Sequence, residues 1–321
     1  MGIKLLNKLM KQYATKAVKI INLSDLKGKS IVVDISIYLY KYKSQDMLLT
    51  NIFKLCSIIN HYSIDAIFVF DGRPTQIKME TLSQRSKQKY IAKQKYYDII
   101  DNYSEDYIKT NKSQLLELKK SFTRVKKEDI DRIKQLLYDY GMKYYVAVNE
   151  ADQICGKLVH SICKDGCLSD DMDMFVYKSK YVYRNLDIVN GTCLQYDLDM
   201  VLQSLNMNFD DFKWMCILSQ NDYNLHTKNV FEYYKLYKTY YYEKQQQLHN
   251  YVTFIEYVMT KLFMLKKESD YLQKVYDMYN IPDNLFDKTG IVSSYMDTDK
   301  VYKLLEQDNF IYPPIPVVQA C

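Results

Sequence analysis

Residues 66–74 read AIFVFDGRP, an apolar run that ends in an aspartate, a glycine, an arginine and a proline. Five consecutive apolar residues favour a buried β-strand, and Asp71 follows that strand directly. An earlier segment repeats this arrangement, because the β-branched run 31–33 ends in Asp34. Buried strands that alternate with helical patterns predict a parallel sheet, and ligands bind at the carboxyl ends of such strands. The two aspartates are therefore candidate functional residues.

The rest of the chain alternates in the same way up to about residue 198 and is predicted to be mostly helical beyond it. The predicted helices lie at about 3–13, 36–61, 127–140 and 150–163, with a long polar helical stretch that ends near 118. Further strands are predicted at 144–148, 174–177 and 180–183. The fold class is therefore α/β, with a central, mostly parallel sheet and helices on both faces.

The glycine and histidine content excludes several kinds of active site. Only eight glycines are present, and the closest two, Gly156 and Gly166, are ten residues apart. This spacing excludes the G-x-G-x-x-G and P-loop phosphate cradles and the G-x-S-x-G nucleophile elbow. The four histidines are scattered and form no H-E-x-x-H pair. Any hydrolytic chemistry must therefore rest on carboxylates.

The cysteines and the N-terminal residues bear on the cellular compartment. Seven cysteines without tight spacing are typical of reduced, mostly buried thiols in an intracellular protein. Lysines at positions 4, 8 and 11 interrupt any apolar run, so no signal peptide is expected. The chain contains no run of 18 apolar residues, so no membrane-spanning helix is predicted. We expect an intracellular protein that is not secreted and has no membrane partner.

Positive charge is concentrated in residues 85–127. This segment holds twelve Lys and Arg and five Asp and Glu, a net charge of +7, whereas the whole chain carries +5. Such a basic segment favours a polyanionic partner, although a solvated helical face would explain it equally well. Only five of the 44 basic residues are arginines. A single lysine is therefore weak evidence for a functional role, and each arginine is stronger evidence.

Four carboxylates follow predicted strands directly, and two more stand in the segment 169–173. In chain order they are Asp34, Asp71, Glu150, Asp152, Asp171 and Asp173. A single acid after a strand is usually a helix cap. If these acids converge, however, their repulsion must be neutralised by cations, and oxygen ligands without His or Cys select Mg²⁺ or Mn²⁺. Two such ions about 4 Å apart would clamp a phosphodiester and activate water.

The same segments resemble the structure-specific 5′ nucleases of the flap endonuclease/XPG family over about residues 1–223. The most specific match is FVFDGRP at 68–74, which Lys78 and Arg85 extend at the family's spacing. The other matching segments are MGIK-x-L at 1–6, VDIS at 33–36 with Tyr38 and Tyr40, NEAD at 149–152, SDDMD at 169–173 and CILSQNDY at 216–223. The resemblance implies a PIN/5′-nuclease-like fold with a helical arch insertion and a helical C-terminal region.

The resemblance also implies a role for individual residues. The positions that match metal-site acids are Asp34, Asp71, Glu150, Asp152, Asp171, Asp173 and Asp222. Asp152 stands where the family usually has Glu, so we expect a water to bridge it to the metal. Lys78 and Arg85 match the catalytic basic pair, and their charge suits stabilisation of the scissile phosphate. Nucleic-acid contacts are implied for Gly2, Tyr40, Lys87, Lys89, Lys93 and Lys228, although Tyr40 could equally be a core aromatic.

The function implied by the resemblance is that of a Mg²⁺-dependent flap endonuclease or 5′–3′ exonuclease in DNA replication, repair or recombination. It would use two Mg²⁺ ions, replaceable by Mn²⁺, on DNA with a 5′ flap, nick, gap or free 5′ end, and would act as a monomer. An inactive nucleic-acid-binding or scaffold relative, a junction resolvase and a 5′–3′ exoribonuclease remain alternatives. The implied nuclease core covers 1–223, in parts 1–107 and 128–223 with the arch at about 85–127, followed by a helical region at 224–321.

Two segments depart from the family pattern. Residues 224–230 contain no glycine where the family has a glycine-rich hairpin that holds duplex DNA, often with K⁺. Gln245, Leu248 and Tyr251 fit a sliding-clamp motif only in part, so clamp binding is not expected. A compact chain with this biased composition looks most like the flap-type nucleases of large DNA viruses. That likeness would place it in a host nucleus or a cytoplasmic viral factory.

Overall fold

A computed structural model describes residues 2–73, 79–225, 227–248, 250–281 and 286–308, apart from the side chains of residues 79–82 and 85. Within these residues a seven-stranded sheet forms the centre of the fold. Its strands are β1 (Val18–Asn22), β2 (Ser30–Asp34), β3 (Asp65–Phe70), β4 (Lys143–Val146), β5 (Cys167–Leu168), β6 (Tyr181–Asp187) and β7 (Thr192–Asp197). Their order in the sheet is β1-β7-β6-β5-β2-β3-β4. The strands from β6 to β4 run parallel, and β7 runs antiparallel to both neighbours. The predicted mostly parallel sheet is confirmed.

Helices surround this sheet in the described part of the chain. They are α1 (Leu6–Tyr13), α2 (Ser36–Ser44), α3 (Leu48–His61), α4 (Met79–Asn102), α5 (Glu105–Thr110), α6 (Lys112–Phe122), α7 (Lys127–Asp139), α8 (Ala151–Ser161), α9 (Leu198–Leu205), α10 (Phe209–Leu218), α11 (Val230–Gln245), α12 (Phe254–Lys261), α13 (Lys266–Met278) and α14 (Thr298–Glu306). The mostly helical region predicted beyond residue 198 is thus present.

Alternate residues of the central strands face two separate apolar cores. Val32 and Val69 belong to a core that also contains residues of α1, α8 and α9–α13. Val33 and Phe68 belong to the other core, with residues of α2, α3, α7 and α14. Because successive side chains of a strand point to opposite faces, this division confirms that helices cover both faces of the sheet.

Two local predictions were wrong, and three strands were missed. The single helix expected at 36–61 is two helices, because Asp46 between them adopts a left-handed backbone with φ 56°. The strand expected at 174–177 is instead largely a 3₁₀ turn over Met172–Phe175, whose four side chains are all buried. An apolar run that is buried on every side has no periodicity by which a strand can be distinguished from a turn. Strands β1, β5 and β7 were not predicted.

The basic segment forms an exposed helical insertion made of α4, α5 and α6. Leu115 is its one buried side chain among those described. Tyr96 and Tyr97 of α4 pack against Phe122 of α6, with ring centroids 5.4 and 6.3 Å apart. Ion pairing joins the insertion to the region around α2, since Lys119 Nζ lies 2.5 Å from Asp46 Oδ2. These three helices cover most of the segment predicted as an arch, whose role as an arch stays a prediction.

Two further sequence expectations can be compared with the described residues. Their six cysteines are buried and none forms a disulfide. None of their helices combines the length and apolar character needed to cross a membrane.

Candidate active site

The carboxyl ends of three parallel strands bring carboxylates to one edge of the sheet. Asp34 is the last residue of β2, Asp71 follows β3, and Asp171 stands three residues after β5. In the sheet, β2 lies between β5 and β3, with Asp34 opposite Val69 and Val33 opposite Leu168. The register therefore places all three acids at the same edge, which the strand pattern predicted for Asp34 and Asp71.

Asp34 is buried at the centre of this group. Its Oδ1 accepts a hydrogen bond from Ser36 N at 3.1 Å, and its Oδ2 accepts one from Ser169 Oγ at 2.9 Å. Burial, with the nearby carboxylates of Asp71 and Asp171, raises the pKa of Asp34 to about 7 despite these hydrogen bonds. The Asp34 carboxylate is therefore held in a place that disfavours its negative charge unless a cation is added.

Asp71 connects the starts of two helices. Its Oδ1 accepts a hydrogen bond from Ala151 N at 2.8 Å, and its Oδ2 accepts one from Ser36 Oγ at 2.6 Å. The neighbouring Gly72 donates its backbone N–H to Asn149 O at 2.6 Å. A Cβ at position 72 would overlap the carbonyl oxygens of residues 147 and 148. Only glycine allows this close approach, which holds Asp71 beside the start of α8.

Glu150 is held by the tyrosine that follows Asp222 in the chain. Tyr223 Oη donates to Glu150 Oε2 at 3.1 Å, and Asp222 is the residue before that tyrosine. The loop is fixed by Asn221, whose buried side-chain amide donates to the carbonyls of Cys216 and Ser219 at 3.1 and 2.9 Å. The sequence suggested no role for Asn221 or Tyr223 beyond the matching segment in which they stand.

Asp171 and Asp173 lie together against the N-terminal segment. Asp173 N donates to Asp171 Oδ1 at 3.0 Å, and Asp171 N donates to Ser169 Oγ at 3.1 Å. Gly2 has φ +74°, and a Cβ added to it would overlap Oδ1 of both aspartates. The two oxygens therefore face the same small space beside Gly2. Gly2 was predicted as a nucleic-acid contact, and the structure places it against these two acids.

Tyr177 and Asp152 complete the group. The pKa of Tyr177 is raised well above its ordinary value, mainly by burial. Nearby carboxylates of Asp152, Asp173 and Glu150 raise it further, which shows that these three acids lie around one tyrosine. Of the seven predicted metal-site acids, six thus lie near one another, and Asp222 stands next to the Tyr223 that binds Glu150.

The donor atoms of this group suit a hard divalent cation, since all are carboxylate oxygens. Within the described residues, however, no three His, Cys, Asp or Glu side chains form a ready-made metal cage. Mg²⁺ usually keeps several waters and takes only one or two carboxylates directly. The carboxylate oxygens of this group are therefore compatible with ligation of a divalent cation that also keeps bound waters.

Comparison with known proteins decides the family. The XPG N-terminal domain matches residues 1–92, and the XPG I-region matches residues 141–222. The chain belongs to the flap endonuclease/XPG family. The two domain matches contain all of its predicted metal-site acids, from Asp34 to Asp222.

Several curated members of the flap endonuclease/XPG family are similar in sequence. Flap endonuclease 1 of Enterocytozoon bieneusi is 27% identical over 261 residues, which cover 74% of this chain and 71% of that protein. Flap endonuclease 1 of Debaryomyces hansenii is 28% identical over 70% of this chain and 62% of its own length. For the Theileria annulata protein, at 28% identity, the match spans 70% of this chain and only 46% of the relative's length.

Solved structures in the family share the fold. The catalytic core of Rad2 in complex with a DNA substrate superposes with a TM-score of 0.65 at 20% identity, covering 96% of this chain and 95% of that one. Flap endonuclease-1 from Methanococcus jannaschii gives a TM-score of 0.61 at 20% identity, covering 92% and 91%. The nuclease fold expected for the flap endonuclease/XPG family is thereby confirmed.

Of the predicted catalytic pair, Lys78 and Arg85, the structure describes only the backbone of Arg85. Lys78 lies outside the described residues, and so does the side chain of Arg85, whose backbone belongs to α4. Their roles stay predictions.

The predicted nucleic-acid contacts other than Gly2 lie on two surfaces. Tyr40 is 39% exposed, unlike the fully buried Tyr38, and Lys89 Nζ of α4 lies 5.7 Å from the centre of its ring. Lys87 and Lys93 are exposed on the same helix. Lys228 is exposed in the glycine-free loop, and its carbonyl accepts a hydrogen bond from Gln220 N at 3.1 Å. The exposure of its ring argues against a core role for Tyr40.

Arg184 is a buried arginine that sequence reasoning did not place at the site. Its Nη2 donates to the carbonyl of Asp170 at 2.6 Å, and the next residue, Asn185, donates its N–H to Asp170 Oδ1 at 2.7 Å. Strand β6 thereby fixes the backbone directly before Asp171. The rarity of arginine in this chain was the one sequence signal that could have pointed to it.

Proposed function

We propose that this chain is a structure-specific 5′ nuclease that hydrolyses phosphodiester bonds in DNA with the help of two Mg²⁺ ions. Its substrates would be 5′ flaps, nicks, gaps or free 5′ ends formed in replication, repair or recombination. The observation that carries the proposal is the group of acids around Asp34, whose pKa is raised first by burial and then by the nearby carboxylates of Asp71 and Asp171. Such crowding is costly without metal and is relieved by a bound divalent cation.

The seven predicted acids would hold the ions, in part through water. Bound divalent ions supply a polarised phosphate and a water activated for attack. The chain's own residues hold the acids in place. Ser36 donates to both Asp34 and Asp71, through its N–H and its hydroxyl respectively, and Ser169 donates to Asp34. Tyr223 holds Glu150. The acids are thus oriented before any ligand arrives, which limits the reorganisation that binding requires.

The surface that carries Tyr40 of α2 and Tyr97 of α4 suits single-stranded nucleic acid. Exposed rings of Tyr40 and Tyr97 alternate with lysines, since Lys89 lies over the first ring and Lys93 Nζ lies 6.0 Å from the centre of the second. Bases stack on exposed aromatic rings, and lysines attract the phosphates between them. The net charge of +7 over residues 85–127 supports binding of a single-stranded 5′ end there. Lys78 and Arg85 at the start of this segment would stabilise charge on the scissile phosphate.

Cleavage of a panel of 5′-labelled substrates tests this proposal. The panel contains a 5′ flap, a nicked duplex, a gapped duplex, a four-way junction and RNA versions of the flap, each with Mg²⁺ and with a chelator. We expect the DNA flap to be cleaved fastest and chelation to stop cleavage. Preference for the four-way junction or for RNA would instead support the resolvase or exoribonuclease alternative. Binding without any cleavage would support the inactive relative.

A further inference from the structure

Helix α13, in the region beyond the matched domains, reaches the carboxylates of the site. Tyr279 follows the last residue of α13, is only 5% exposed, and donates its hydroxyl to Asp173 Oδ2 at 3.2 Å. From the middle of the same helix, Tyr271 donates its hydroxyl to the carbonyl of Tyr223 at 2.6 Å. Tyr223 in turn holds Glu150. Helix α13 and the residue that follows it therefore contact Asp173 directly and Glu150 through Tyr223.

The ring of Tyr279 is fixed by other aromatic side chains. Its centroid lies 5.0 Å from that of Tyr177 and 5.9 Å from that of Tyr223, the latter with an edge-on geometry. These contacts restrict movement of the buried ring, so its hydroxyl cannot reach a different hydrogen-bond partner without repacking. The hydroxyl is thereby aimed at Asp173.

The hydrogen bond from Tyr279 also determines which way the Asp173 carboxylate faces. Oδ2 is held by the tyrosine, while Oδ1 is turned towards the space beside Gly2 that Oδ1 of Asp171 also faces. Without the tyrosine hydroxyl, the carboxylate could rotate and withdraw Oδ1 from this shared space. Hydrogen bonds of this kind to a metal-binding carboxylate set its orientation and affect metal affinity.

We propose that Tyr279 is a positioning residue for the divalent-cation site, and that α13 is consequently part of that site. The inference rests on the proposed function, since it presumes that Asp173 binds a cation. It assigns a role to a segment for which the sequence suggested none. If Tyr279 served only to fill the core, loss of its hydroxyl would lower stability and leave cation binding unchanged.

Removal of the hydroxyl alone separates these two roles. Tyr279→Phe keeps the ring and its packing, and Tyr276→Phe is the matched control on the same helix, where the hydroxyl donates to Asp210 Oδ1 at 3.2 Å. Binding of Mg²⁺ and of Ca²⁺ to the full-length chain is measured by titration calorimetry without DNA, and stability by urea unfolding with and without Mg²⁺. We expect Tyr279→Phe to weaken cation binding about tenfold, the lower end of the range for such partners. Tyr276→Phe should bind as the unsubstituted protein does.

A second variant tests the other contact of α13, between Tyr271 and Tyr223. Tyr271→Phe removes the hydrogen bond to the Tyr223 carbonyl and should also weaken cation binding, though less, because it acts on Glu150 through an intermediate residue. Unchanged cation affinity in Tyr279→Phe, whatever its stability, would overturn the positioning role and leave the proposed nuclease function intact. Failure of the unsubstituted protein to bind any divalent cation would instead overturn the proposed function itself.

Discussion

Ser169 Oγ donates a hydrogen bond to Asp34 Oδ2 at 2.9 Å, across 135 positions of the chain. This contact joins the end of β2 to the segment that follows β5. Both groups are buried, so the hydrogen bond is shielded from water. Because Asp171 N also donates to Ser169 Oγ, this one hydroxyl links Asp34 to the backbone of Asp171.

Burial of Asp34 predicts an unusual pH dependence in the metal-free protein. The pKa of Asp34 is raised to about 7, above the value of 3.8 for an unperturbed aspartate. Between these values the folded protein keeps a proton that the unfolded chain has lost, so the free energy of unfolding falls as pH rises from about 4 to 7. Asp34→Asn should remove this loss and stabilise the metal-free protein above pH 7 by an amount on the order of a few kcal/mol.

Urea unfolding at several pH values, in chelator, measures the effect on Asp34. Addition of Mg²⁺ should make the unsubstituted protein the more stable of the two, because it gains binding energy that Asp34→Asn largely lacks. Equal stability of the two proteins at pH 8 in chelator would contradict the unfavourable burial of an ionised Asp34 beside its acidic neighbours.

Gly2 and Gly28 provide a matched pair of substitutions. Both have positive φ, +74° and +72°, but a Cβ at Gly2 would overlap Asp171 and Asp173, whereas nothing lies within 4 Å of one at Gly28. Gly2→Ala should therefore lower the cleavage rate at least tenfold, and Gly28→Ala should cost only the backbone strain of about 1–2 kcal/mol in stability. Single-turnover rates with a flap substrate test this. A normal rate for Gly2→Ala would mean that the N-terminal segment moves away from the acids in the active protein.

Much of the fold and part of the site could be predicted from local sequence. Strands β2 and β3 are continuous apolar runs followed by acids, so both the strands and the positions of Asp34 and Asp71 are visible without a structure. Strand β1 was missed because it lies at the sheet edge, where Ile20 is 74% exposed and Lys19 interrupts the apolar pattern. The two residues of β5 are too short to show any period.

Partners from distant segments could not be predicted in this way. Tyr279 and Asp173 are 106 positions apart, and nothing local distinguishes this tyrosine among 33. Ser36 and Ser169 stand inside recognised segments, yet their hydrogen bonds depend on the pairing of β2 with its neighbours in the sheet. Contacts of this type follow from tertiary packing, which hydrophobic periodicity does not encode.

Tyr40 should contribute to binding of single-stranded DNA by stacking. Tyr40→Ala is expected to lower affinity for a 5′ flap by about 1 kcal/mol or more, the usual value of one base–aromatic contact. Tyr242→Ala is the control, because that ring is 62% exposed on α11 and belongs to no predicted contact. Fluorescence anisotropy in Ca²⁺ would measure both. Equal affinity of the two variants would contradict a stacking role for Tyr40.

The glycine-free loop at 224–230 should make duplex binding depend on charge. Lys4 N donates to Gln220 O at 2.9 Å and Gln220 N donates to Lys228 O, so exposed lysines stand on both sides of this contact. Replacing K⁺ by Na⁺ at fixed ionic strength should change duplex affinity less than about twofold, while raising either salt should weaken it steeply. Lys228→Ala should reduce the salt dependence. A strong K⁺-specific effect would show that the loop forms an ion site despite its sequence.

Cleavage and binding by Asp171→Ala together test the central claim, that the acids at the sheet edge hold metal for hydrolysis. Because phosphate contacts come mainly from Lys and Arg, the variant should bind a 5′ flap as tightly as the unsubstituted protein or more tightly. In Mg²⁺ its single-turnover cleavage should be undetectable, whereas the unsubstituted protein cleaves. Normal cleavage by Asp171→Ala at matched DNA binding would contradict the account.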